Sequence, residues 1–204
     1  MRVTVNLKNL KNKVIPFKFV PFSKQQLKVL TWWTDSSPYK DFDAIICDGA
    51  VRSGKTVSEA FSFVMWGMEK FNGKNFGLCG KTVGALRRNV VKPLKQMLKS
   101  RKYIIHDVLT ENVLIIRKRY KQSDGTIKDT INYFYIFGGK DEASQDLIQG
   151  ITLAGCFFDE VALMPQSFVN QATARCSEKG AKFWFSCNPD NPFHWFKKEW
   201  IDKA

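Results

Sequence analysis

Histidine is almost missing from this 204-residue chain: only His106 and His194 are present. A metal centre built on imidazole is therefore not expected. The five cysteines (Cys47, Cys79, Cys156, Cys176 and Cys187) are odd in number and contain no C-x-x-C pair. That excludes a disulfide framework and a zinc site, and it predicts reduced thiols in an intracellular protein. No apolar run approaches membrane-spanning length, and the basic N-terminus lacks the roughly 7–15-residue apolar core of a secretory signal. Neither repeats nor low-complexity tracts occur. Acidic residues are also scarce, with 19 Asp plus Glu against 32 Lys plus Arg, a net charge of +13. Such an imbalance points to a polyanionic partner. What remains, 44% hydrophobic and 25% charged residues, is ordinary globular composition. The length suits one α/β domain with a sizeable core.

The most informative stretch is Gly49-Ala50-Val51-Arg52-Ser53-Gly54-Lys55-Thr56, which fits G-x-x-x-x-G-K-[ST], the phosphate-cradling P-loop pattern. Its glycines permit a tight turn that aims successive backbone N–H groups at a polyphosphate. Lys55 then reaches the β- and γ-phosphates, and the Thr56 hydroxyl is placed to ligate Mg²⁺. The flanks agree with this reading. Asp43–Asp48 is a short apolar strand ending at the loop, and Phe61, Val64 and Met65 recur at helical spacing after it.

Before the loop, residues 1–22 alternate Lys with apolar residues and carry Pro16 and Pro21, as in an extended arm or an edge strand. Ser23 is placed to cap a helix running from Lys24 to Trp32-Trp33. After the P-loop helix, Asn75–Gly80 reads as a second short strand. Val83–Ser100 reads as a basic amphipathic helix that Pro93 splits or kinks. Asn112–Tyr120 and Ile127–Phe137 alternate apolar with polar residues around Asp124-Gly125, a hairpin signal. They are expected as antiparallel strands grafted on the edge of an otherwise parallel sheet. A short helix is expected before Gly150, a buried strand at Ala154–Phe158, a helix at Pro165–Arg175 and a last strand at Lys182–Cys187. Alternating helices and buried strands define an α/β fold, a three-layer α/β/α P-loop NTPase with a mostly parallel central sheet and an added antiparallel hairpin.

Hydrolysis requires a carboxylate to position Mg²⁺ and a base to orient water. Asp159 and Glu160 supply both at a strand's C-terminal end, where ligands bind in open parallel sheets. Asp159 would hold the ion, and Glu160 would polarise the attacking water. An Asp-Glu pair capping a turn is the plainer alternative. Ser186-Cys187-Asn188 ends another apolar strand, where a short polar side chain could sense the γ-phosphate. By spacing alone, Asn188-Pro189 is an ordinary turn.

As a set, these residues resemble the large subunit of tailed-phage terminases, the ATP-driven motors that package DNA into procapsids. The resemblance rests on Gln25-Gln26, Ala50–Thr56, Gln149–Thr152, Phe158–Pro165, Cys187–Pro192 and the closing His194-Trp195-Phe196. It implies that Gln25 or Gln26 reads adenine and that Arg52 lies near the γ-phosphate as a sensor or cis arginine finger. It also implies that Ser186-Cys187-Asn188 couples hydrolysis to motion. The arginine that some members place about ten residues before the Asp-Glu strand is replaced here by Gln149, leaving Arg175 as a substitute for the trans finger. ATP and Mg²⁺ are the implied cofactors. Double-stranded DNA, further copies of the chain in a ring on a portal and a small terminase subunit are the implied partners, in the cytoplasm of the host cell. The RNase H-like nuclease domain of such subunits is expected to be absent, with residues 189–204 beginning a linker toward it, and no DNA cleavage is expected.

For DNA, the basic side chains at positions 87, 88, 92, 95, 99, 101 and 102, Arg87, Arg88 and Lys92 foremost, and Arg117–Arg119 with Lys121 on the hairpin suit phosphate contacts that ignore sequence. A solvated helix face and a guarded sheet edge would carry the same residues. A helicase-like NTPase and a small-molecule kinase share the P-loop. The first would want a second motor lobe, and the second an acceptor pocket with an Arg-rich lid.

Overall fold

The structure is a computed structural model that describes residues 17, 21–48, 55–121, 124–141, 144, 146, 148–188 and 193–203, Lys55 through its backbone alone. Strands β1 (Ala44–Asp48), β2 (Asn75–Gly80), β3 (Ile104–Val108), β4 (Val113–Lys121), β5 (Ile127–Gly138), β6 (Gly155–Phe158) and β7 (Lys182–Cys187) form one seven-stranded sheet, in the order β1-β7-β6-β2-β5-β4-β3. From β1 to β5 every neighbouring pair is parallel, whereas β4 runs antiparallel to both β5 and β3. The α/β class and the mostly parallel sheet are as the sequence predicts. The hairpin is not an appendage, however. Its second strand is a full member of the parallel sheet, in register with β2 from Asn75↔Tyr133 to Gly80↔Gly138. Strand β3 goes beyond the sequence-based expectation, because its apolar and polar residues form too short a run to stand out.

Helices α1 (Lys24–Thr31), α2 (Lys55–Lys70), α3 (Val83–Leu86) and α4 (Lys92–Ser100) cover one face of the sheet, and α5 (Gln166–Ala174) covers the other. Under α2, Phe63 packs against Trp66, Phe76, Phe134, Phe157 and Trp184, all with ring centroids within 6.4 Å. Each such fully buried ring contributes on the order of 1.5–3 kcal/mol from burial. The rotation of α2 is fixed by a polar pin in that core. Ser62 accepts hydrogen bonds from Trp33 Nε1 at 3.1 Å and Trp184 Nε1 at 3.2 Å, and donates to Val29 O at 2.6 Å. One buried hydroxyl thus ties α1, α2 and β7 together with its capacity filled.

Helix α1 begins as expected with a capping box, Ser23 Oγ accepting from Gln26 N and Gln26 Oε1 from Ser23 N. It ends at Thr31, short of the predicted Trp32-Trp33, which lie buried in the following turn. Pro93 does split its helix. A π-helical turn over Arg87–Val91 separates α3 from α4, where Pro93 occupies the opening turn. Proline has no N–H to give residue 89 and its ring crowds that carbonyl, so the wider turn absorbs the missing bond. The helix expected before Gly150 is replaced by 3₁₀ turns at the described positions Ser144, Asp146 and Ile148. Residues 193–203, expected to open a linker, pack onto the α5 face. Phe196 is fully buried there, 5.2 Å from Phe185, and Trp200 lies 4.7 Å from the same ring.

Candidate active site

The site is assembled at the C-terminal edge of the parallel strands. Trp184 and Phe157 belong to the core under α2, while Phe185 and Phe158 belong to the core under α5. Strand alternation therefore turns Ser186 and Asp159 toward the α2 face. Their strands are neighbours, and the last register pair, Phe158↔Phe185, places the two residues side by side. On the other side of β7, Cys47↔Ser186 brings in β1. Thr56 stands in the first turn of α2, and its Oγ1 lies 3.3 Å from Ser186 Oγ. Thr56, Asp159 and Ser186, separated by 103 and 27 positions in the chain, thus converge on one spot.

Asp159 is 8% exposed, and its backbone N–H donates to Cys79 O at 2.8 Å, the last rung between β6 and β2. The next residue breaks the pattern. Glu160 takes the left-handed conformation, φ 54° and ψ 54°, and precedes a 3₁₀ turn over Val161–Leu163. The left-handed well costs a non-glycine residue on the order of 1 kcal/mol, and strain of this kind gathers at working sites. Here the reversal carries the Glu160 carboxylate out of the sheet into solvent while Asp159 stays inside.

The part of the P-loop from Gly49 to Gly54, Arg52 included, lies outside the described residues, as do the Lys55 side chain and Pro189–Pro192. The two glutamines are no longer equivalent. Gln26 spends its carbonyl on the cap, whereas Gln25 is exposed. Cys187 is buried and Asn188 exposed at the end of β7. Arg175 is not at this edge. It caps the C-terminus of α5, and its carbonyl accepts from Leu153 N at 2.9 Å, beside the start of β6 and so at the opposite end of that strand from Asp159. A cation there complements the helix dipole.

Sequence reasoning misses Glu59, three residues beyond Thr56 and so on the same helix face, which is fully buried. The signal available is an acidic residue set among the apolar positions of a core helix. It also misses Asp107, which binds two of the basic side chains assigned to DNA. Arg87 Nη1 lies 2.9 Å from Asp107 Oδ1 and Lys95 Nζ lies 2.6 Å from Oδ2. Burial pushes the Asp107 carboxyl up, but bonds and charge from Lys95 and Arg87 outweigh it and hold the group below its ordinary range. Arg88, Lys92 and Lys99 remain exposed, the last two lining a polar cleft of about 240 Å³.

Among the described residues no group of three or more His, Cys, Asp or Glu side chains could hold a metal. Magnesium asks for less. It keeps waters and takes one or two protein oxygens plus substrate phosphates, so the Thr56 hydroxyl and the Asp159 carboxylate, both hard oxygen donors, fit it. No helix among the described residues is long and apolar enough to cross a membrane.

A P-loop-like strand and helix, an acidic pair on the third parallel strand in and a hydroxyl between them define a nucleotide-site architecture. Residues 46–204 match the model of the T4likevirus-type terminase large subunit, N-terminal, and the chain belongs to that family. It is similar to the large terminase of a thermophilic bacteriophage, at 65% identity and a TM-score of 0.82 over 90% of this chain and 43% of that one. A structure of the same terminase in complex with ADP matches at 63% identity, TM-score 0.82, with the same coverage. The large terminase of bacteriophage HK97, at 14% identity, TM-score 0.61 and coverage of 93% of this chain and 37% of that one, shares the fold. Comparison with curated protein sequences gives no match. The chain spans less than half the length of the thermophilic-phage terminase it resembles.

Proposed function

We propose that the chain is a Mg²⁺-dependent ATPase whose hydrolysis of ATP drives double-stranded viral DNA into a procapsid. The observation that carries this reading is the convergence of Thr56, Asp159 and Ser186 at the strand edge that also presents Glu160. The ADP and ATP-γ-S complexes of the thermophilic-phage terminase, 63% and 61% identical, lend it support.

In this mechanism the backbone of Gly49–Gly54 cradles the phosphates and Lys55 reaches the β- and γ-phosphates, with Arg52 beside the γ-phosphate. Glu160, exposed and turned away from Asp159, accepts a proton from the attacking water as its oxygen bonds the γ-phosphorus and the β–γ bridging oxygen leaves with ADP. Thr56 and Asp159 would hold Mg²⁺, which when bound would neutralise charge on the phosphate oxygens. Gln25, with both ends of its amide uncommitted to the cap, suits adenine better than Gln26, since reading adenine uses donor and acceptor together. Exposed Arg88, Lys92 and Lys99 grip DNA phosphates. Ser186–Asn188 passes the state of the site onward. Further copies of the chain in a ring on a portal, a small terminase subunit and the host cytoplasm complete the assignment. Arg175 remains a trans finger only by way of a neighbouring copy.

The test is phosphate release from ATP alone, with duplex DNA, and with a panel of small acceptors, for wild type, Lys55→Ala and Glu160→Gln. Release that needs no acceptor is expected. Lys55→Ala should lose nucleotide affinity, and Glu160→Gln should bind ATP without turning it over. Wild-type turnover in Glu160→Gln would remove Glu160 as base, and dependence on an acceptor would make the protein a kinase.

A further inference from the structure

The Thr56–Ser186 contact assigns Ser186 a role distinct from sensing the γ-phosphate. We infer that Ser186 is a positioning residue that fixes the direction of the Thr56 hydroxyl, and through it the affinity of the site for the divalent cation. The inference rests on the ATPase reading above, and on Thr56 as a ligand in particular.

A threonine hydroxyl has one donor hydrogen and two acceptor lone pairs. To ligate a cation it must aim a lone pair at the ion, so its hydrogen has to point away and find an acceptor. Ser186 Oγ, 3.3 Å from Thr56 Oγ1, is that acceptor. The serine is 2% exposed, so water does not compete for the place. It is also held from both sides by the sheet, since β7 runs between β1 and β6, with Ser186 opposite Cys47 and beside the residue that follows Phe158. A rigid strand makes it a better anchor than a loop would be. Either hydroxyl can donate in this geometry. A cation on Thr56 settles the direction, because a hydroxyl that gives up lone-pair density becomes the stronger donor. At 3.3 Å the contact is slack against the roughly 2.7–2.8 Å of a strong O–H···O bond, which leaves room for it to tighten as Thr56 polarises. Outer partners of this kind orient the ligand and are worth about 10–100-fold in metal affinity.

The experiment measures ATP-γ-S binding by titration calorimetry, first in EDTA and then across a Mg²⁺ series, for wild type, Ser186→Ala, Ser186→Thr, Thr56→Ala and the Thr56→Ala/Ser186→Ala pair, with thermal melts confirming folding. Ser186→Ala should raise the Mg²⁺ midpoint about tenfold, with any loss of affinity in EDTA clearly smaller than the loss in Mg²⁺. Ser186→Thr, which keeps a hydroxyl, should recover most of the shift, and Ser186→Ala should add nothing once Thr56 is gone. A folded Ser186→Ala protein with the wild-type Mg²⁺ midpoint overturns the inference, as does a loss of affinity equal in EDTA and Mg²⁺. If Thr56→Ala keeps the wild-type Mg²⁺ dependence, Thr56 is not a ligand, and the metal-site reading falls together with the role of Ser186. If Thr56→Ala abolishes that dependence while Ser186→Ala does not move it, only the inference falls.

Discussion

Arg87 reaches across from the π-helical turn to Asp107 on β3, its Nη1 2.9 Å from the carboxylate, and its Nη2 donates to Asn112 Oδ1 at 3.2 Å. Lys95, two turns further along, closes on the other carboxylate oxygen at 2.6 Å. Arg87 is 19% exposed and Asp107 16% exposed, so this is a partly desolvated network that ties the irregular helix to the outermost strand. Replacing Asp107 with Asn should cost about 1–2 kcal/mol, since hydrogen bonds to charged partners are lost on both sides. The pH dependence has a definite sign. The folded carboxyl sits below the unfolded value of 3.8, so its contribution is complete above that value and is lost as pH falls through the lower folded one. Thermal melts between about pH 2 and 5 should show wild type losing stability on acidification, with Asp107→Asn flatter over the same window.

The same network divides the basic surface into two kinds of residue. Arg88, Lys92 and Lys99 are exposed, while Arg87 and Lys95 already have a counter-ion. Replacing the three exposed residues with Ala should weaken duplex DNA binding and reduce the salt slope by about 0.9 for each phosphate contact removed. Arg87→Ala should instead act mainly on stability. Fluorescence anisotropy across a salt series separates the two. Equal loss of DNA affinity and slope in Arg87→Ala would put the contact surface elsewhere.

The parallel sheet, its helices and the acidic strand end are legible in the sequence because each follows from local periodicity or spacing. Strand β5 shows where that legibility stops. Its alternation is real, but the inward register is not the apolar one throughout. Thr130 and Asn132 are fully buried while Ile127 is 73% exposed. Asn132 belongs inside because its amide donates to Gly67 O and Phe71 O, both at 3.0 Å, and accepts from Lys74 N at 2.9 Å, closing the end of α2. Those partners lie some 60 residues away along the chain, so no window of sequence could reveal them. Neither the pairing of β5 with β2 nor the Arg87–Asp107 bridge is a local property. The left-handed turn at Glu160 is hidden for another reason, since the residue type argues against it.

Two glycines before the acidic strand end carry opposite constraints. Gly150 has φ +82° with open space around it, whereas a Cβ on Gly155 would meet Lys182 O at 2.6 Å and the Trp66 ring at 2.8 Å. Backbone cannot yield as a flexible side chain can. Gly155→Ala should therefore cost about 1–3 kcal/mol by overpacking and push β6 away from β7, with a matching loss of nucleotide affinity. Gly150→Ala should cost only the backbone strain of about 1–2 kcal/mol, with affinity retained. Chemical denaturation with ATP-γ-S titrations decides it, and equal affinity loss in both would show that the β6–β7 spacing does not govern the site.

Glu160 itself separates chemistry from conformation. Its φ of 54° is one that glycine adopts without penalty and alanine does not. If the proposed base is needed only for its carboxylate, Glu160→Ala and Glu160→Gly should lose turnover alike. They should differ in stability, because Ala keeps the strain and Gly removes it, although Gly also returns entropy to the unfolded chain. The balance favours Gly by about 0.5–1 kcal/mol, or on the order of 2–4 °C per kcal/mol in a chain of this size. A melt in which Gly is clearly the less stable of the two would mean that the left-handed turn relaxes when the glutamate is lost. The carboxylate, rather than the surrounding sheet, would then be what holds the chain reversal in place.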